Sequence, residues 1–142
     1  MNRNSILIIN GPNLNLLGSR EVAIYGNTAF EEHITQLQTL YPTLSIDYFQ
    51  SNEEGAIVKK IQEGEGKYTA IVINGGAFTH TSIAIADAIR AITIPAIEVH
   101  ISNIYAREEY RKKSYLSNVC KGSIVGLGID GYRLAIEHIF NG

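Results

Sequence analysis

The sequence predicts an α/β protein with a five-stranded, doubly wound parallel sheet between two layers of helices. Five short runs are apolar almost throughout, as strands covered on both faces must be, and amphipathic helical patterns separate them one by one. Right-handed crossovers then put helices on both faces, a flavodoxin-like three-layer α/β/α arrangement. There are no repeats, low-complexity tracts or linker, so residues 1–142 read as a single domain. At 45% hydrophobic content such a chain can bury roughly two-thirds of its unfolded surface.

Each element has its own signal. Ser5 to Asn10 is the first apolar strand. Thr28 opens the first helix with Glu31 at the capping-box position, and Phe30, Ile34, Leu37 and Tyr41 follow along one face. Leu44 to Phe49 is the second strand. Ser51 and Glu54 repeat the box ahead of Ile57, Val58 and Ile61, and Gly64 or Gly66 can end that helix in the left-handed conformation. Thr69 to Asn74 is the third strand, followed by a helix from about Ser82 to Ala91 that Thr81 or Ser82 can cap. Ala96 to Val99 is the fourth strand, and Ala106 to Arg111 reads as helical. Gly122 to Leu127 is the fifth. The last helix begins near Asp130 or Gly131 and carries Leu134, Ala135, Ile136 and Ile139.

Composition narrows the function classes. A net charge of −2, with no lysine or arginine run, gives no footprint for nucleic acid. Ile6 to Ile9 is too short an apolar run for a secretion signal or a membrane span. The single Cys120 cannot form an internal disulfide and has no histidine near it in sequence, which disfavours a nucleophilic role. These features predict a soluble cytoplasmic protein.

Polar residues gather at the carboxyl ends of the predicted strands, where doubly wound sheets bind ligands. Glu98, His100 and Ser102 alternate at period two and point to one side of the sheet while the chain stays extended. A histidine satisfied by a neighbouring carboxylate is the plain alternative. Arg107 and Arg111, four apart on one helical face, add two cations and suggest a site for a polar anionic ligand. After the first strand, Asn10-Gly11-Pro12-Asn13 begins an unusually long loop, anchored by Leu14, Leu16 and Leu17. Its Gly18 to Gly26 stretch has glycines at both ends and reads as a lid carrying Arg20 and Tyr25. Taken alone, those two residues read as an exposed arginine and a tyrosine packed on the sheet edge. Gly75 and Gly76 let backbone approach a ligand after the third strand, and the helix that follows favours anions at its start. Asp87, in an otherwise apolar helix, is either on the solvent face or turned to a subunit interface. His33 and His138 read as solvent-exposed.

Three long motifs carry a family resemblance: Asn10 to Gly18 with Arg20, Glu21, Tyr25 and Gly26; Gly76 to Ser82; and Ile97 to Asn103 with Ala106 to Glu108. In order and spacing they resemble type II 3-dehydroquinate dehydratase across nearly the whole chain, with Val22 and Gly75 standing where the family often has proline. The resemblance implies reversible dehydration of 3-dehydroquinate to 3-dehydroshikimate in the shikimate pathway, through an enolate and without cofactor or metal. It implies Tyr25 as base with Arg20 favouring its phenolate, Asn13 stabilising the enolate oxygen through a water, and His100 as general acid oriented by Glu98. The amides of Ile101 and Ser102 would hold the substrate carboxylate. Asn74, His80 and Arg111 would bind its hydroxyls, and Arg107 would brace the lid or the site. Asp87 would reach the site of an adjoining subunit in a homododecamer, a tetramer of trimers.

Other readings make different demands. An imine mechanism needs a desolvated lysine, and Lys59, Lys60, Lys67, Lys112, Lys113 and Lys121 all lie in polar or helix-surface settings. A receiver module on this fold needs an acidic pocket after the first strand and a lysine after the fifth, where Asn10-Gly11-Pro12 and Gly126-Leu127-Gly128 stand instead. A flavin-binding module would give a yellow preparation. Metal binding by Glu98, His80 and His100 is a further alternative, for a chemistry that needs no Lewis acid.

Overall fold

A computed structural model describes residues 4–17 and 29–141. Its strands are β1 (Ser5–Asn10), β2 (Ser45–Gln50), β3 (Ala70–Asn74), β4 (Ala96–His100) and β5 (Gly122–Val125). Its helices are α1 (Phe30–Leu40), α2 (Glu54–Gly64), α3 (Ile83–Ala91) and α4 (Gly131–Asn141). The sheet is parallel throughout, in the order β2-β1-β3-β4-β5. The predicted flavodoxin-like arrangement is therefore the observed one, and the winding reverses between β1 and β3.

Alternation along the strands sorts the core into two layers. Ile6, Ile8, Val72, Ile97 and Val99 pack against Phe30, Ile34 and Leu37 of α1 and Tyr132, Ala135 and Ile136 of α4. Leu7, Ile9, Ile71 and Ile73 pack on the other face against Ile57 and Ile61 of α2 and Ile85, Ala88 and Ile89 of α3. Each large apolar side chain fully buried this way contributes about 1.5–3 kcal/mol. The two layers together fix the strand ends that carry the polar residues.

Several local expectations need correction. The 106–111 stretch is not one helix. Two short 3-10 turns, Ile104–Ala106 and Glu109–Arg111, are separated by extended backbone at Arg107 and Glu108. The Ser51–Glu54 capping box does not form: the Ser51 hydroxyl accepts from the Glu53 amide at 2.9 Å, and the Glu54 carboxylate instead accepts from the Ser82 hydroxyl at 2.5 Å. That contact ties α2 to α3 and uses up the carboxylate. Ser82 does cap α3, accepting from the Ile85 amide at 2.9 Å, and Gly66 takes the left-handed conformation after α2 with φ 77°. β5 stops at Val125 because the amides of Gly126 and Gly128 turn to the His100 and Ile101 carbonyls, both at 3.0 Å. Ala29 holds the cap position of α1; Thr28 lies outside the described residues.

His33 is buried, against expectation. It is three residues from Phe30 and shares its face, so its ring packs edge-on to Phe30 at 5.7 Å and to Tyr132 at 6.1 Å. His138 is exposed, as expected. Burial pushes the Cys120 thiol up to about 12, helped by the negative charge of Glu98, which leaves it protonated and unreactive.

Candidate active site at the carboxyl edge of the sheet

β4 delivers the chemistry. Glu98 and His100 project from it on the α2–α3 side and are 1% and 4% exposed. A carboxylate so deeply placed needs compensation, and four donors supply it. His100 Nε2 lies 2.6 Å from Oε2, which the Ser114 hydroxyl also reaches at 2.6 Å. The hydroxyls of Ser117 and Ser123 donate to Oε1 at 2.6 and 2.7 Å. Ser123 is the register partner of Glu98 across the β4–β5 ladder. Ser114 is held in turn by accepting from the amides of Leu116 and Ser117, both at 3.1 Å. Burial works against the Glu98 charge, but His100, Ser114 and Ser117 together hold its carboxyl well below the usual range, at about 2. Glu98 is therefore ionised, and it fixes a proton on His100 Nε2.

His80 belongs to the 3-10 turn Gly76–His80 that follows β3. Its ring stacks near that of His100, with centroids 6.3 Å apart and an interplanar angle of 25°. Its Nδ1 is 2.7 Å from the Lys113 carbonyl, which can only accept, so Nδ1 carries the proton. Burial lowers its pKa, and the charges of His100 and Arg111 act in the same direction against the Lys113 contact. A neutral His80 then offers Nε2 as an acceptor. The carbonyl of Thr79 accepts from the Tyr115 amide at 2.9 Å, clamping the 112–117 stretch onto this turn.

One cleft is lined by Asn74, His80, His100, Ile101, Ser102, Arg107 and Arg111, with Leu14, Gly76 and Ile104. Arg107 Nη1 donates to the Ser102 hydroxyl at 3.3 Å, and Arg111 Nε reaches both Glu108 oxygens at 3.2 Å. Both arginines thus face the cleft from turn geometry, with Glu108 as their shared counter-ion. Gly11 is obligatory at the adjoining end of β1, because any Cβ there would strike the Gly75 carbonyl. Gly75 is itself enclosed by Thr79 and Leu116, so the backbone after Asn74 is tightly packed.

Of the residues singled out from the sequence, Asn74, His80, His100, Ile101, Ser102 and Arg111 come together in this cleft, with Glu98 directly behind His100. Asn13 stands beside it in the left-handed conformation with φ 69°, its amide donating to Asn52 Oδ1 at 3.0 Å. Asp87 is not among the residues that line the cleft. It is 62% exposed and paired with Arg90 at 3.3 Å. Arg20, Val22, Tyr25 and the whole Gly18 to Gly26 stretch lie outside the described residues. Sequence reasoning missed Ser114, Ser117 and Ser123, which no local pattern marks. Among the described residues, no group of three or more His, Cys, Asp or Glu is placed to hold a metal ion, and no helix is long and apolar enough to cross a membrane.

A family model described as dehydroquinase class II matches residues 4–140. A 3-dehydroquinate dehydratase of Clostridium botulinum is 57% identical over 140 residues, covering 97% of this chain and 95% of that protein. A catabolic 3-dehydroquinase of Aspergillus clavatus is 54% identical over 137 residues, covering 95% and 91%. The crystal structure of a type II dehydroquinase from Butyrivibrio crossotus matches with a TM-score of 0.93 at 47% identity, over 96% of this chain and 97% of that one.

Proposed function

This chain belongs to the class II dehydroquinase family, and we propose that it dehydrates 3-dehydroquinate to 3-dehydroshikimate with Tyr25 as base and His100 as general acid. The Tyr25 phenolate takes the proton beside the ketone, leaving an enolate. A free tyrosine ionises near about 10, so a cation is needed to favour the charged form at neutral pH, the part this reading gives to Arg20. Asn13 stabilises the enolate oxygen through a water. The enolate then expels the hydroxyl, which takes a proton from His100 and departs as water, leaving a conjugated enone. With Glu98 accepting from Nε2 at 2.6 Å, the acid is the imidazolium and the transferred proton leaves from Nδ1. The amides of Ile101 and Ser102 hold the substrate carboxylate, and Asn74, His80 and Arg111 bind its hydroxyls.

The observation that carries this reading is an ionised, fully hydrogen-bonded Glu98 behind a histidine that lines a cleft with two arginines. The test is the ultraviolet absorbance of the enone formed from 3-dehydroquinate. The unaltered enzyme should produce it, and Tyr25→Phe should lower kcat by at least about 10²-fold with an unchanged circular dichroism spectrum. No absorbance from the unaltered enzyme overturns the reading; full turnover by Tyr25→Phe removes that residue from its role.

The working form is a single-domain chain in a cytoplasmic homododecamer, a tetramer of trimers in which Asp87 reaches the site of an adjoining subunit. Light scattering should then give twelve times the 15.6 kDa chain mass. A monomeric mass at full activity would refute the shared site.

A further inference from the structure

Two fully buried side chains beside the cleft have no part in the mechanism above. Asn10 and Tyr132 are both 0% exposed. They come from opposite ends of the chain, β1 and α4, and meet at the carboxyl edge of the sheet. Tyr132 Oη donates to Asn10 Oδ1 at 2.7 Å and accepts from Asn74 Nδ2 at 3.0 Å. Asn10 Nδ2 then donates to the Tyr48 hydroxyl at 3.3 Å. Asn10 and Asn74 are register partners on adjacent strands, and the Tyr132 hydroxyl bridges their side chains.

The direction of this chain has a chemical consequence. A phenol has one proton, and here it goes to Asn10, so the hydroxyl presents a lone pair to Asn74. The Gly76 amide donates to Asn74 Oδ1 at 3.0 Å from the other side. Turning the Asn74 amide over would set its NH₂ against the Gly76 N–H and its oxygen against the Tyr132 lone pair. Both bonds would be lost in a buried setting. The amide of Asn74 therefore has one orientation, with a second Nδ2 proton left over on a side chain that lines the cleft.

We infer that Tyr132, held by Asn10, is a positioning residue that fixes Asn74 as a hydrogen-bond donor toward a substrate oxygen. The inference rests on the dehydratase reading and adds to it an orienting group that never touches substrate. A bond of this kind to a substrate hydroxyl is made alike before and during the reaction, so its loss raises KM and leaves kcat nearly unchanged.

The experiment is a double-mutant cycle on 3-dehydroquinate. Tyr132→Phe should raise KM about tenfold with kcat within about twofold. Asn74→Ala should raise KM at least as much, and adding Tyr132→Phe to it should change KM by no more than about twofold. Asn10→Leu, which removes the acceptor but keeps the phenol, should repeat the pattern. A tyrosine that only fills the core would lower Tm and leave KM where it was, or would act undiminished in the Asn74→Ala background; either result overturns the inference. Turnover by the unaltered enzyme tests the dehydratase reading separately, so the two failures are distinguishable.

Discussion

On the α2–α3 side of the sheet edge, Glu98 brings a full charge into the interior and is met by four donors: one imidazole and three serine hydroxyls. On the α1–α4 side, Asn10, Asn74 and Tyr132 are equally buried but neutral, and a single directed chain of hydrogen bonds suffices. The difference is one of stakes. A buried charge left short of donors costs several kcal/mol, whereas a neutral pair can lose one bond for about 1 kcal/mol. The charged network therefore recruits from β4, β5 and the loop between them, and its function is to hold a proton on one nitrogen. The neutral network sets the orientation of one amide.

Substitutions can sharpen that contrast. Glu98→Gln keeps the shape but removes the charge, and aims an NH₂ group at hydroxyls that themselves donate. It should lower kcat by about 10²-fold or more and stability by about 3 kcal/mol, read from enone formation and urea unfolding. Ser117→Ala leaves Glu98 one donor short and should cost about 1.5–3 kcal/mol. Tyr132→Phe, the matching deletion in the neutral network, breaks two bonds and should cost only about 1 kcal/mol for each. Equal costs per bond lost would erase the distinction between the networks.

The pH dependence separates them as well. The Glu98 carboxyl lies at about 2 in the folded protein, below its unfolded value near about 4.3. A depressed folded value gives stability that is present above the unfolded value and lost as pH falls toward about 2. Glu98→Gln should flatten that limb of the urea midpoint. His33 has the smaller effect. Burial lowers its pKa, so the folded state resists the proton that the unfolded chain accepts, and stability falls as pH drops below about 6.5. His33→Phe should remove that part of the slope and leave the Glu98 limb in place.

Much of the charged network was legible in the sequence. Glu98 and His100 at period two on an apolar strand could only share a face. The serines were not legible, because Ser114 and Ser117 sit in an aperiodic loop whose path is set by contacts to the turn after β3. Arg107 and Arg111 reach the cleft as expected, but through two 3-10 turns, since extended backbone at Glu108 interrupts the helix their spacing suggested. His33 was misread by residue type. Its spacing from Phe30, Ile34 and Leu37 already put it on the buried face. The Asn10–Tyr132–Asn74 chain joins residues whose meeting depends on strand order and helix placement, which no local pattern contains.

His100 as the acid of the proposed reaction is tested most directly by the turnover number with 3-dehydroquinate. His100→Ala, with circular dichroism unchanged, should form the enone at least about 10²-fold more slowly than the unaltered enzyme. A rate within twofold of the unaltered enzyme would contradict the assignment of the β4 edge as the catalytic centre.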